Sequence, residues 1–165
     1  MSLQNSDIQK KKILSYEELH ALISKLKNDN KVIVQCHGVF DLIHPGHIFH
    51  FQAAKKQGDI LVVSLTSDAF VNKGPDRPVF DENIRSEALA SIEVIDYVVI
   101  NHNPTAVEAI KNIRPDVYVK GEDYANFDKD LTGKIRDELD AVEGVGGRLH
   151  ITREITYSSS ELINN

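Results

Sequence analysis

Val32-Ile33-Val34-Gln35-Cys36-His37-Gly38-Val39-Phe40-Asp41-Leu42-Ile43-His44-Pro45-Gly46-His47 is the stretch that sets the fold. Its opening Val32-Ile33-Val34 is a short β-branched run, as expected of a strand buried on both faces. A turn containing Gly and Pro follows, and Ile48 to Gln57 reads as a helix. Gly58 suits a left-handed cap at the end of that helix. Ile60 to Leu65 is a second buried strand. Strand, helix and strand in this order predict a parallel pair joined by a crossover.

The same alternation continues toward the C-terminus. Residues 72–80, NKGPDRPVF, form a loop, and Asp81 caps a helix running to about Glu93. Tyr97 to Ile100 is a third strand. Asn103-Pro104 is a cap with proline at the first helical position, opening a helix to about Ile113. Val117 to Val119 is a fourth strand, Asp128 to about Val142 a polar helix, and Leu149 to Thr152 a fifth strand; Ser158 opens a last helix. Toward the N-terminus, Ser15 with Glu18 makes a capping-box pattern. Leu19, Leu22, Ile23 and Leu26 follow at helical spacing until Asn28-Asp29-Asn30 stops the helix. Residues 1–12 read as a frayed polar leader ending in Lys10-Lys11-Lys12. The expected fold is therefore α/β: a Rossmann-like, doubly wound, parallel five-stranded sheet with helices on both faces. Residues 1–30 would be leader and N-terminal helix, and residues 31–165 a single domain. Ligands of such sheets sit beyond the carboxyl ends of the strands, so the loops after Cys36, Leu65, Ile100, Val119 and Thr152 are the ones of interest.

Composition narrows the partners. The chain has 165 residues, with 19 Lys plus Arg against 25 Asp plus Glu, a formal net charge of -6. That balance argues against a nucleic-acid binder, which needs a basic face, but leaves room for a small anionic ligand held by a few cations. The single Cys36 excludes a disulfide scaffold and a multi-cysteine zinc site, and a reducing cytoplasm is the default location. No apolar run is long enough to span a bilayer, so no membrane association is expected.

The chemistry concentrates after the first strand. His44 and His47 are three residues apart at a helix start, which puts both imidazoles on one side of the first turn. Gly46 between them leaves the backbone open to a ligand, and the helix N-terminus adds a favourable field for an anion. Donors, open backbone and field together suit a phosphate chain. The bland alternative is a helix cap with exposed histidines. A metal pair is the other, with His37 and Asp41 nearby but no third ligand at characteristic spacing.

Gly38-x-Phe40-Asp41-x-x-His44-x-Gly46-His47 resembles the signature of the cytidylyltransferase-like nucleotidyltransferases, and the resemblance runs from about Lys12 to Ile163. Lys73-Gly74-Pro75-x-Arg77-Pro78-Val79, Arg85 and Val119-Lys120-Gly121-Glu122-Asp123-Tyr124 look most like the adenylyltransferase part of the bifunctional heptose-phosphate kinase/adenylyltransferases. Arg153 to Ser160 is similar to a segment of the glycerol-3-phosphate cytidylyltransferases. That family has Arg-Thr-Glu-Gly-Ile-Ser-Thr-Thr; here Arg153 and Ser158 match, Ser159 and Ser160 keep a hydroxyl, and Thr156 replaces the Gly.

The resemblance implies attack of an acceptor phosphate on the α-phosphate of ATP or CTP, with pyrophosphate leaving and magnesium assisting. The attacking oxygen is already anionic, so the absence of a nucleophilic triad is consistent. It implies catalytic roles for His44, His47 and Lys73. Nucleotide contacts would come from Gly38, Val39, Phe40, Gly46, His47, Lys120, Gly121, Asp123, Ser158, Ser159 and Ser160. Acceptor contacts would come from Asp41, Asp68, Arg77, Arg85 and Arg153; Asp41 and Asp68 could instead help order the site or a magnesium ion, and no residue is firmly assigned to the metal. By itself Arg85 is an ordinary solvent-facing helix residue, and Asp68 an ordinary short-helix cap. The implied acceptor is a sugar or polyol phosphate, with a homodimer and a fused or separate sugar kinase as partners. A phosphonate cytidylyltransferase and a non-catalytic nucleotide-binding module are the alternatives. His20, His50, His102 and His150 lack a partner pattern, and Phe49, Phe51, Phe70 and Phe80 read as packing. Gly144-Val145-Gly146-Gly147 lies between helix and strand, the reverse of a dinucleotide fingerprint, and reads as a turn.

Overall fold

The central β-branched run forms strand β2 (Ile33–Gly38), and every neighbour is arranged around it. In the computed structural model, which describes residues 7–125 and 133–153, β2 pairs in parallel with β3 (Ile60–Thr66) on one side and β5 (Val117–Lys120) on the other. Beyond β3 lies β4 (Tyr97–Asn101), and beyond β5 lies β6 (Arg148–Ile151). A further strand, β1 (Ile13–Leu14), pairs with β4. The sheet thus has six strands in the order β1-β4-β3-β2-β5-β6, one more than expected.

The additional strand and a helix, α1 (Asp7–Lys12), come from the segment read as leader and helix start. The Lys run does more than face water. Lys12 Nζ donates to the carbonyls of Ile95 (2.9 Å) and Ile92 (3.4 Å), tying α1 to the chain entering β4.

Side chains alternate across the sheet with period two, so each strand feeds two cores. Val34, Cys36, Leu61, Val63, Leu65, Val98, Val117 and Val119 pack with Phe51 of α3 (Pro45–Lys55) and Leu89 of α4 (Glu82–Ala90). On the other face Ile33, Val62 and Val99 meet Leu19 and Ile23 of α2 (Tyr16–Asn28) and Ala109 and Ile113 of α5 (Val107–Ile113). Tyr118 and Ile110 continue that layer to Val142 of α6 (Lys134–Gly144). Each fully buried Leu, Ile or Phe contributes roughly 1.5–3 kcal/mol. Among the described residues no helix is long and apolar enough to cross a membrane.

Ser15 and Glu18 cap α2 reciprocally, and the Asp81 carboxylate accepts from the Ile84 amide at the start of α4, as expected. Other boundaries differ. Helix α3 begins at Pro45, with His44 as its cap. Asn103-Pro104 belongs to a turn, held by Asn101 Nδ2 donating to the carbonyls of Asn103 and Thr105, and α5 starts later, at Val107. Helix α4 ends at Ala90 rather than near Glu93. The last helix expected at Ser158 lies outside the described residues, as do residues 128–132 of the polar helix.

Gly58 is not left-handed; the glycines with positive φ are Gly74, Gly133 and Gly146. Its role is clearance, since a Cβ there would lie 2.6 Å from Val34 Cγ2 and 2.8 Å from the Val32 carbonyl oxygen. The turn before β6 is tighter still. A Cβ on Gly147 would stand 2.3 Å from the Pro115 carbonyl oxygen. Gly147→Ala is therefore expected to destabilise the protein by about 1–3 kcal/mol, read from urea unfolding. A variant as stable as the parent would show that the β5–β6 turn can yield.

Candidate functional site

Strand order reverses between β2 and β5, which opens a crevice above their carboxyl ends. The loop after β2 builds its floor. Phe40 sits at φ 49, folding its ring back over Gly38, where a Cβ would lie 2.9–3.1 Å from ring atoms. The ring meets His47 edge-on at 5.7 Å and Phe51 at 5.1 Å. Gly38 and Phe40, expected as nucleotide contacts, are joined here in packing beneath His47.

His44 caps α3 through its ring. The Gly46 amide donates to His44 Nδ1 (3.1 Å), and the His44 amide donates to His47 Nδ1 (3.2 Å). Both Nδ1 atoms act as acceptors, so both rings carry their proton on Nε2. The rings lie 3.8 Å apart, tilted by 34°. Desolvation, then His44, His50 and Lys73, push the His47 pKa down to about 4, and burial lowers that of His44. At neutral pH this helix start presents neutral N–H donors.

The loop after β3 is strapped to the same floor. Asp41, buried, accepts from the Val79 amide (2.8 Å), the Phe80 amide (2.9 Å) and Arg77 Nε (3.0 Å). Burial alone would raise the Asp41 pKa, but the Phe80 and Val79 amides and the Arg77 guanidinium outweigh it and hold it below the ordinary value. Both carboxylate oxygens are thus taken, and Asp41 orders the loop rather than facing an acceptor. Arg77 is held by this bond while its Nη2 is buried with no hydrogen-bond partner. Lys73 is exposed in the loop; desolvation and Arg77 lower its pKa and Asp41 opposes them.

Arg85 is neither solvent-facing nor open to an acceptor phosphate. It is 1% exposed. Nε donates to the Phe80 carbonyl (2.9 Å), Nη1 to the carbonyls of Val39 (2.8 Å) and Thr66 (2.9 Å), and Nη2 to Asp68 Oδ1 (2.6 Å). One guanidinium ties together the loops after β2 and β3 and the entry to α4. Asp68 is its partner and opens the 3-10 turn Asp68–Phe70 without capping it.

On the β5 side, Lys120 Nζ donates to the His37 carbonyl (3.0 Å). Gly121 is unobstructed, and the Tyr124 amide donates to the Gly121 carbonyl (3.1 Å), closing the turn Glu122–Ala125. Arg153 is exposed just beyond β6. The Asp123 side chain and Ser158, Ser159 and Ser160 lie outside what is described. His50, which had no evident partner in the sequence, bonds Thr152 Oγ1 through Nδ1 (2.9 Å), and Thr152 N–H donates to the Lys120 carbonyl (2.8 Å). The signal was present: His44, His47 and His50 recur every three residues on one helix face. His37, also unassigned, bonds Ser64 Oγ (2.8 Å). Of the phenylalanines, Phe51 is fully buried, whereas Phe49, Phe70 and Phe80 are exposed.

Desolvation, reinforced by Lys120, pushes His37 to about 3 and His50 to about 4. With His47, these histidines bind protons near pH 6.5 when unfolded but only well below that when folded. Between those values the unfolded chain holds more protons, so stability rises with pH and is lost on acidification. Going from pH 7 to 5 is expected to cost roughly 2 kcal/mol per ring, about 5 kcal/mol for the three together, in urea unfolding. A constant midpoint over that range would show that these rings are not held neutral.

A magnesium ion takes oxygen ligands in octahedral array. Among the described residues no group of three or more His, Cys, Asp or Glu side chains is assembled, and Asp41 and Asp68 are bound to arginines.

The cytidylyltransferase-like family model matches residues 35–165. Curated relatives include two proteins named bifunctional protein HldE. That of Aliarcobacter butzleri is 40% identical over 93% of this chain, and that of Geobacter metallireducens 41% over 92%. The chain spans 32% and 30% of their lengths. Among solved structures, the lipopolysaccharide core biosynthesis protein from Thermoplasma volcanium superposes with a TM-score of 0.60 at 26% identity, covering 78% of this chain and 99% of that one. A pantoate-beta-alanine ligase from Francisella tularensis shares the fold alone, with a TM-score of 0.52 at 13% identity over 85% of this chain and 66% of that one.

Proposed function

Because the chain belongs to the cytidylyltransferase-like family and is by that membership a nucleotidyltransferase, we propose that it transfers AMP from ATP to a phosphorylated sugar. The observation that carries this reading is the pair of Nε2–H imidazoles at the start of α3, with the cations of the two flanking loops near by. Lys73 is close enough to depress the His47 pKa, and Lys120 close enough to depress that of His50. In a chain of net charge -6, this is a local site for a polyanion.

The acceptor phosphate oxygen forms a bond to the α-phosphorus, the bond from that phosphorus to the bridging oxygen breaks, and pyrophosphate leaves with the electron pair. No base is required, since the attacking oxygen is anionic. The work is alignment of two polyanions and stabilisation of charge at phosphorus. His47 and His44 donate toward the triphosphate. Arg77, with Nε fixed by Asp41 and Nη2 unpartnered, and Lys73 beside it receive the acceptor phosphate. With Asp41 and Asp68 bound to arginines, magnesium would be held chiefly by the triphosphate oxygens.

ATP and a heptose phosphate are favoured because the Lys73–Val79 and Val119–Tyr124 segments resemble those of the heptose-phosphate adenylyltransferases, and a protein named bifunctional protein HldE matches over 93% of this chain. The resemblance to the bifunctional heptose-phosphate kinase/adenylyltransferases points to a sugar kinase, fused or separate, as the source of the acceptor. The test is pyrophosphate release from ATP or CTP with a panel of phosphorylated acceptors. Release with ATP and a heptose phosphate is the expected result. Release with CTP alone would move the assignment to a cytidylyltransferase, and ATP binding without release from any pair would leave a binding module.

A further inference from the structure

We propose that Glu138, on α6, is a positioning residue of the nucleotide site, holding Lys120 and the Glu122–Ala125 turn through two tyrosines. The proposal rests on the reading above, in which the β5 side of the crevice receives the nucleotide. Glu138 is only 9% exposed, and among the described residues no Lys or Arg forms a salt bridge with it. Its Oε2 instead accepts from two phenols, Tyr118 (3.1 Å) and Tyr124. Burying a carboxylate is costly unless it is hydrogen-bonded, so an acid in this place needs a reason beyond filling space.

The two rings supply it. Tyr118 projects from β5 and Tyr124 from the turn beyond it, with centroids 6.5 Å apart and planes at 73°. The Lys120 ammonium lies over both, 5.6 Å from the Tyr118 centroid and 5.2 Å from the Tyr124 centroid, with His37's carbonyl as its hydrogen-bond acceptor. A cation over a ring face is attracted by the ring quadrupole. Glu138 therefore orients the phenols, the phenols wall in the ammonium, and the same bonds pin the turn that starts at Gly121.

Charge acts in the same direction. Burial lowers the Lys120 pKa, and Glu138, then Cys36, oppose it. The remaining groups facing this ammonium are His37 and His50, whose pKa values it depresses, and the two phenols. Without Glu138 the ammonium loses its proton at lower pH, and the crevice loses a positive charge.

The test compares the full chain with Glu138→Gln, which preserves shape and one acceptor while removing the charge. ATP binding is measured by calorimetry from pH 7 to 9.5, with kcat and KM for ATP alongside circular dichroism. Expected are about tenfold weaker ATP binding and a KM raised in proportion, kcat at saturating ATP within about twofold, and alkaline loss of binding moved to lower pH. A folded Glu138→Gln protein that binds ATP like the parent at every pH overturns the proposal. Should that variant fail to fold, Tyr124→Phe leaves the Tyr118–Glu138 bond in place; it is expected to weaken ATP about threefold, and unchanged binding again overturns the proposal. A parent chain that binds no ATP removes the nucleotide reading itself, whereas a parent that binds with an indifferent variant removes only the role of Glu138.

Discussion

His47→Ala is expected to lower kcat for nucleotidyl transfer by about two to three orders of magnitude, the loss typical of one well-aimed donor to developing charge. The N–H on Nε2 has a fixed direction because Nδ1 is occupied by the His44 amide. That direction costs no reorganisation when negative charge builds at phosphorus. KM for ATP should change little, since an interaction made mainly in the transition state lowers kcat and kcat/KM together. The stability loss should stay near ~1 kcal/mol, the worth of a helix cap. Steady-state pyrophosphate release with circular dichroism checks both parts. A well-folded variant turning over at near-parental rate would remove His47 from the chemistry.

Arg85→Ala should be the most destabilising single change among the site residues, by about 3–5 kcal/mol. It strips hydrogen bonds from the carbonyls of Phe80, Val39 and Thr66, and leaves Asp68 without its cation. Buried carbonyls left without donors each cost on the order of 1–3 kcal/mol, and part of that is recovered by water entering the gap. Arg85→Lys should recover little, because a single ammonium cannot span the acceptors that the planar fork reaches. Urea unfolding of both variants gives the comparison. A loss below about 1 kcal/mol for alanine would mean that these two loops and the start of α4 are held by something else.

The βαβ unit around β2 was legible because its signals are local: a β-branched run, a Gly-Pro turn and a helix of ordinary length. The same holds for the caps at Ser15 and Asp81. Strand β1 was not legible, since Ile13-Leu14 is too short to show alternation and gains its identity only by pairing with Val98 and Val99. Gly58 misled for a different reason. A glycine after a helix is written the same way whether it supplies a left-handed turn or clears space for Val34, and only the packing distinguishes them. The His-x-Gly-His motif and the loops around it were visible as a whole, but the division of labour among their residues was not. Asp41 reaches Arg77 across 36 residues and Arg85 reaches Val39 across 46. Nothing local separates a carboxylate or guanidinium that meets substrate from one that holds a loop. His50 was the one site neighbour whose spacing already placed it, one turn after His47.

The position of β2 also fixes when the protein can become complete during synthesis. Its first neighbour arrives early: Val32 N–H meets the Asp59 carboxylate 27 residues on. Its second arrives late, for the Ile33 amide waits 83 residues for Asp116 at the entrance to β5. At roughly 5–20 residues per second, a ribosome leaves the other edge of the central strand unpaired for several seconds. That bare, apolar edge is the stage at which a nascent chain is most open to pairing with a stranger. Docking of β5 ends the exposure and in the same movement brings Lys120 to His37, closing the crevice. The half-made chain therefore already carries the His44–His47 helix start and the Arg77 loop, lacks the Lys120 side of the crevice until β5 docks, and is complete only when α6 and β6 have followed.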